Sequence, residues 1–301
     1  MPEFAGTITE PGLYPGIDEA VYHRDPVAHE WGSLSVTAAA LLVPPRAAAK
    51  FDYARQHRKL PTASMKLGTV THGLVLGTGA DIAVLDFDDR RTKAYKTAEE
   101  AVLGLGLLPV LRKDYLEAKA IADAILSHPT AGALLAAATD RETSMFWVDS
   151  EFGIWQRGRM DALAMSYAMP TGVDLKSSKD ASPEGFAKSV ADYGYHRQDV
   201  HYRQGLAACL GCDWRDIDFV FVVVETEPPY LVATYRISDG TEPHTPDDIG
   251  LGLEQMRAAR ERFRDCSKSG IWPGYSEEIE RLELPRYKRM QQEKDINEWF
   301  D

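Results

Sequence analysis

Two short stretches carry residue types that could do chemistry. "GRMD", residues 158–161, and "GVDLKSS", residues 172–178, each place a carboxylate where a buried strand is expected to end, Asp161 and Asp174, and the second adds Lys176. The acids are thirteen positions apart, room for a strand end, a turn and a return, so neighbouring strands can bring them together. Two carboxylates at one sheet end repel each other unless a cation sits between them, and a divalent ion that prefers oxygen ligands, Mg2+ or Mn2+, resolves that repulsion. Side chains two apart in a strand share a face, so Asp174 and Lys176 point one way while Leu175 enters the core. The Lys176 ammonium is then within reach of whatever the ion holds. An acid pair, a divalent cation and a fixed amine are the parts that phosphodiester cleavage needs: the ion polarises the phosphoryl oxygen and acidifies a bound water, and the amine orients that water and offsets transition-state charge.

The elements that must position these groups follow from patterning. "SMFWVD" and "GIWQRGRMDALAM", separated by the turn-like "SEFG", read as a hairpin, and after the loop "SYAMPTG" the stretch "GVDLKSS" reads as a third strand. Residues 182–211 read as one long helix, capped by Ser182 with Pro183 at its first position, despite glycines at 185 and 194. "DFVFVVVET" is a continuous apolar run of the kind covered on both faces, and "PPYLVATYRIS" returns beside it. Upstream, "SLSVTAAALL" and "PPRAAAKFDYARQ" read as short helices, and "SMKLGTVTHGLVLG" as a helix carrying His72 and ending at a glycine. The polar segment 86–98 reads as loop, and "PVLRKDYLEAKAIADAILSH" as an amphipathic helix with Pro109 at its start. A last helix covers roughly 247–268 before a polar helical tail. The expected fold class is α/β, a central mixed sheet flanked by helices with an N-terminal helical elaboration. One domain over 1–301 is expected: a mainly helical part over 11–140, a core of sheet and helix over 141–240, and a C-terminal helix and tail over 241–301.

The chain has 301 residues, 44% hydrophobic and 27% charged, an ordinary globular composition, with a net charge of -12 that excludes nucleic-acid binding through bulk charge. Any such contact must use a local basic surface. The start lacks a basic stretch followed by an apolar run, no stretch approaches the length of a membrane span, and three cysteines make no disulfide framework, so a cytoplasmic protein without membrane contact is expected.

"GRMD", then "DLK", then "QDVHY" with Gln198 and Tyr202 four apart, resembles the PD-(D/E)XK nuclease superfamily in its RecB-like branch, whose motifs read G-x-x-D, D-x-K and Q-x-x-x-Y. "PGLYPGIDEAVYHRDP", "SLSVTAAALLVPPRAAAKF" and "KLGTVTHGLVLG" are similar to the N-terminal signature of the RecE-type exonucleases (exonuclease VIII), in which a G-T-x-x-H helix supplies a histidine to the metal; "GIWPGYSEEIERLELPRY" resembles the end of phage-encoded members. The resemblance implies a PD-(D/E)XK core in which His72, Asp161, Asp174 and the Leu175 backbone carbonyl hold one or two Mg2+ (or Mn2+) ions. It implies Lys176 as the catalytic lysine, and Gln198 and Tyr202 facing the scissile phosphate or steadying Lys176. It further implies ATP-independent digestion of the 5′-terminated strand of linear duplex DNA, a single-strand annealing partner of RecT type, a homo-oligomeric ring of three or four subunits, and the cytoplasm of a bacterial host. Two other readings stay open, a DNA-binding assembly factor that does not cut and an endonuclease of the same fold.

Around the proposed site, Lys179, Lys188, Arg197 and Arg203 are expected to form a phosphate-tracking surface. Glu142 could add a further acid, though a solvated strand-end glutamate is the simpler reading. Cys209 and Cys212 read as ordinary packing at a helix end, and Trp147, Trp155 and Tyr193 as core residues rather than base-stacking platforms.

Overall fold

The computed structural model describes residues 2–57, 63–165 and 168–300. Residues 166 and 167, the start of the loop expected before the third strand, lie outside the described residues. The chain opens with β1 (Gly12–Tyr14), α1 (Glu19–His23), β2 (Leu34–Ser35), α2 (Val36–Ala39) and α3 (Ala49–Gln56). Then come α4 (Ala63–Leu76), β3 (Ile82–Leu85), α5 (Lys93–Gly104), β4 (Leu108–Leu111), α6 (Arg112–Ser127) and α7 (Pro129–Ala136). The strands β5 (Asp140–Val148), β6 (Trp155–Ala164) and β7 (Thr171–Ser178) lead to helices α8 (Pro183–Tyr193) and α9 (Tyr195–Leu210). The chain finishes with β8 (Asp218–Glu225), β9 (Val232–Tyr235), α10 (Asp248–Ser269) and α11 (Arg286–Phe300).

The main sheet runs β1-β5-β6-β7-β8-β9, with β2 added along β6. The three central strands form an antiparallel meander, and β7 then pairs with β8 in parallel, which requires the crossover that α8 and α9 supply. This is the α/β architecture expected, a mixed sheet flanked by helices. The apolar run of β8 is explained by burial on both sides. Phe219, Phe221 and Val223 pack with Phe186, Tyr202 and Leu206 of α8 and α9, while Val220, Val222 and Val224 pack with Ile121, Ile125 and Leu134 of α6 and α7. In β7, Val173 and Leu175 join the α6 side, which leaves Asp174 and Lys176 facing α8 and α9.

Several elements differ from the sequence reading. Residues 182–211 form two helices, because Gly194 adopts φ +73° between them and ends the first as a left-handed cap. The segment 86–98 is loop only to residue 92, where the Thr92 hydroxyl accepts the Tyr95 N–H and starts α5 around the buried Tyr95. Pro109 lies in β4, which pairs in parallel with β3 as a separate two-stranded sheet, and the amphipathic helix begins at Arg112. The strands β1 and β2 are too short to announce themselves by alternation. Tyr193 is 69% exposed and Trp155 half-buried, whereas Trp147 is core.

Candidate active site

Alternation along β6 breaks at Asp161. Met160 belongs to the α8–α9 core, Ala162 to the core on the opposite face, and Leu163 to the α8–α9 core again. Across the ladder, Glu142 sits between the paired residues Arg141 and Thr143 with φ +47°, a left-handed conformation rare for a glutamate. Glu142 is thus a half-buried residue within β5, not a solvated strand-end side chain. On the other side of β6 the pairing with β7 stops at Ala162 and Val173. There the Asp161 carboxylate takes over the role of a strand backbone: the Leu175 N–H donates to Asp161 Oδ2 at 2.7 Å. The irregularity re-aims one side chain at the edge of a functional cleft, a common use of such kinks.

Asp161 and Asp174 come together as the spacing anticipated. Burial raises the pKa of Asp161, and the charge of Asp174 raises it further, against the opposing pull of His72, Lys176 and the Leu175 N–H. His72 on α4 brings its Nδ1 to 3.8 Å from Asp161 Oδ2. On Asp174, Oδ1 accepts the Gln198 side-chain amide at 2.5 Å and Oδ2 faces the Lys176 ammonium. Burial disfavours the charge on Lys176, but Asp174 and Asp161 outweigh it and hold its pKa above the ordinary lysine value. The ammonium also lies 4.7 Å from the centroid of the Tyr195 ring. Tyr202 is buried beneath β6, where Gly158 makes room: a Cβ there would come within 3.1 Å of the Tyr202 ring. Burial first, and then neighbours that include both aspartates, push the Tyr202 hydroxyl's pKa far up. Gln198 and Tyr202 therefore share one inward face of α9.

Of these groups His72 and Lys176 line a cleft at the carboxyl ends of the parallel strands β7 and β8, together with Thr71, Leu175, Ser177 and Thr226. Among the described residues, no three histidine, cysteine, aspartate or glutamate side chains close to metal-ligating distance of one another. The expected ligand set converges in pairs, because Asp174 is turned to Gln198 and Lys176 while Asp161 faces His72. The donor chemistry nonetheless fits a hard divalent cation: the buried Asp174 carboxylate, the half-buried Asp161 with its proton affinity raised beside it, an imidazole, and the backbone carbonyl of Leu175 next in sequence to Asp174.

The basic surface divides. Lys179 and Lys188 are exposed, but Arg197 is buried and donates to Gln255 of α10 at 2.8 Å. Arg203 stacks on Trp214 at 4.8 Å and pairs with the buried Asp199. Both arginines are structural because α10 and the Trp214 turn cover faces that the sequence presents as free. Cys209, Cys212 and Cys266 are free thiols. Sequence reasoning missed Tyr195 at the lysine, and the Gly194 cap is the signal that could have found it.

Residues 40–285 match a family model described as a PDDEXK-like domain of unknown function, DUF3799. Among solved structures, the fold is similar to that of a presumed exonuclease from Eubacterium rectale, with a TM-score of 0.54 at 12% identity over 84% of this chain and 90% of that one. A structure of SSO0001 aligns more loosely, with a TM-score of 0.35 at 14% identity over 83% of this chain and 81% of that one. No curated protein matches the sequence. Among the described residues, no helix is long and apolar enough to cross a membrane.

Proposed function

Because the chain belongs to the PDDEXK-like family DUF3799, we propose that it is a metal-dependent nuclease, and more narrowly an exodeoxyribonuclease acting on the ends of linear duplex DNA. The observation that carries the reading is the joint placement of Asp174 and Lys176 on one face of β7, with Asp161 and His72 on one side and Gln198 on the other. Asp161, Asp174, His72 and the Leu175 carbonyl would hold Mg2+ or Mn2+, which when bound acidifies its water and offsets phosphoryl charge. The chain's own groups do the rest. Gln198 fixes the Asp174 carboxylate by its amide. Lys176, kept protonated by the two aspartates, presents a fixed positive charge to the scissile phosphate and orients the attacking water. Tyr202 is buried under the site, and the exposed Lys179 and Lys188 would meet substrate phosphates.

The finer reading comes from the motif resemblance: degradation of the 5′-terminated strand to leave 3′ single strands, for an annealing protein, by a ring of three or four copies. A ring reconciles the net charge of -12 with DNA, since acids can face outward while lysines face the channel.

The test is release of acid-soluble nucleotides from linear duplex in Mg2+, Mn2+, Ca2+ or chelator. Wild-type protein releases nucleotides in Mg2+ or Mn2+; Lys176→Ala and Asp174→Ala bind DNA and release none. Wild-type-like digestion by either variant overturns the assignment. Closed circular DNA stays intact under an end-requiring enzyme and is nicked by an endonuclease. Duplexes labelled at each end separately report polarity, and loss from the 3′ ends first would reverse the direction proposed.

A further inference from the structure

Gly194 does more than end a helix. Its left-handed turn lets Tyr193 close α8 and Tyr195 open α9 with their rings stacked, centroids 5.7 Å apart and planes 28° from parallel. Inward, Tyr195 stacks on Phe186 at 5.7 Å, and Phe186 on Tyr235 at 5.1 Å, so the pair is anchored to the core of the sheet. Sideways, the Tyr195 ring supports the Lys176 ammonium at 4.7 Å, with the Phe221 ring behind it at 5.9 Å. Outward, the stack ends on Tyr193, a residue 69% exposed although its ring rests on a preformed aromatic column. The catalytic amine and an exposed aromatic ring are thus joined through one intervening side chain, on the rim of the same site.

A tyrosine ring left in water on a rigid column is a ready surface for another flat aromatic group. Beside an amine that faces a phosphate, the aromatic group at hand is the base of the same or the adjacent nucleotide. A paired, stacked base has both faces covered by its neighbours and cannot use such a ring; an unpaired one can. We propose that Tyr193, backed by Tyr195, is a stacking platform for an unpaired nucleobase next to the scissile phosphate, and that the substrate in the site is a frayed, single-stranded end. This deepens the nuclease reading and rests on it. The platform carries no base-specific hydrogen bonding and tolerates any sequence. Tyr195, in contact with Lys176, is a positioning residue.

The experiment uses the full-length protein with Tyr193→Ala, Tyr193→Phe and Tyr193→Trp, and a single-stranded oligonucleotide carrying 2-aminopurine at each of its first three positions in turn. In Ca2+, binding quenches the 2-aminopurine at one of those positions with the wild type and the Tyr193→Phe variant but not with Tyr193→Ala, and the oligonucleotide quenches the indole introduced by Tyr193→Trp. In Mg2+, Tyr193→Ala raises KM by roughly 10-fold to 100-fold with kcat little changed, and Tyr193→Phe restores it. An abasic site at the quenched position abolishes the difference between the wild type and Tyr193→Ala. Equal quenching and equal KM for these two proteins would overturn the platform, as would a difference that persists on abasic substrate. Quenching without cleavage by the wild type would defeat the nuclease reading and leave the platform standing; cleavage without quenching would do the reverse.

Discussion

The contact between Lys176 and Asp174 predicts a specific non-additivity in stability that is independent of any assay of function. Lys176→Met keeps the length and apolar stem of the side chain and removes the charge, stranding the Asp174 carboxylate, 4% exposed, beside Asp161 with only the Gln198 amide as partner. Removing one member of a buried ion pair costs about 3–5 kcal/mol, and because the Lys176 side chain keeps 18% exposure the lower end applies, about 3 kcal/mol. Asp174→Asn alone leaves an ammonium that still feels Asp161 and can lean toward solvent, at about 1–2 kcal/mol. In the double variant no charge is stranded, so it sits near the cost of one substitution, and the singles overshoot it by about 2 kcal/mol. Urea unfolding in the presence of chelator measures this as a midpoint difference on the order of 1 M for an m of a few kcal/mol/M. Additivity of the two substitutions to within about 0.5 kcal/mol would refute the argument, because it would mean that the ammonium and the carboxylate do not neutralise each other in the folded protein.

Asp199 gives a pH prediction. Burial pushes its carboxyl up to about 7 from the ordinary 3.8, against the pull of Arg203, so the folded state holds a proton that the unfolded chain releases. Its contribution to stability is intact below about pH 4 and lost as pH rises toward 7, by up to about 4 kcal/mol. Asp199→Asn should therefore flatten the fall in Tm between about pH 4 and pH 7; an unchanged slope would sink this. Gly194→Ala drives a Cβ into the Arg197 guanidinium at a residue with φ +73°, and should cost about 1–3 kcal/mol in thermal unfolding. A variant as stable as the wild type would show that the helix break is not fixed by that glycine.

The strands that present the acids were readable because their burial is one-dimensional information. β7 alternates between Val173 or Leu175 and Asp174 or Lys176, and β8 is apolar throughout because helices cover both its faces. His72 was readable as a helical residue because α4 ends at Gly77, as the pattern required. What stayed hidden depends on single residues or on distant cover. The apolar spacing of α8 continues into α9, so periodicity alone joins them, while one left-handed residue at Gly194 divides them. Arg197 and Arg203 look solvated on their own helix, and only α10 and Trp214, which pack over them, make them internal. The slip of alternation at Asp161 needs the left-handed Glu142 on the neighbouring strand, a conformation that no pattern of residue types encodes.

The parallel seam between β7 and β8 has a kinetic consequence. Its two strands are separated by the whole of α8 and α9, so their pairing closes a longer loop than either turn of the β5–β6–β7 meander and follows the meander in folding. Until that closure, Asp161 and Asp174 sit on a local meander, while His72 and Gln198 remain on segments that have not docked. A nascent or damaged chain would carry His72 and Gln198 apart from the two acids, so any reactivity the four have together begins only when α4 and α9 dock and ends when either leaves.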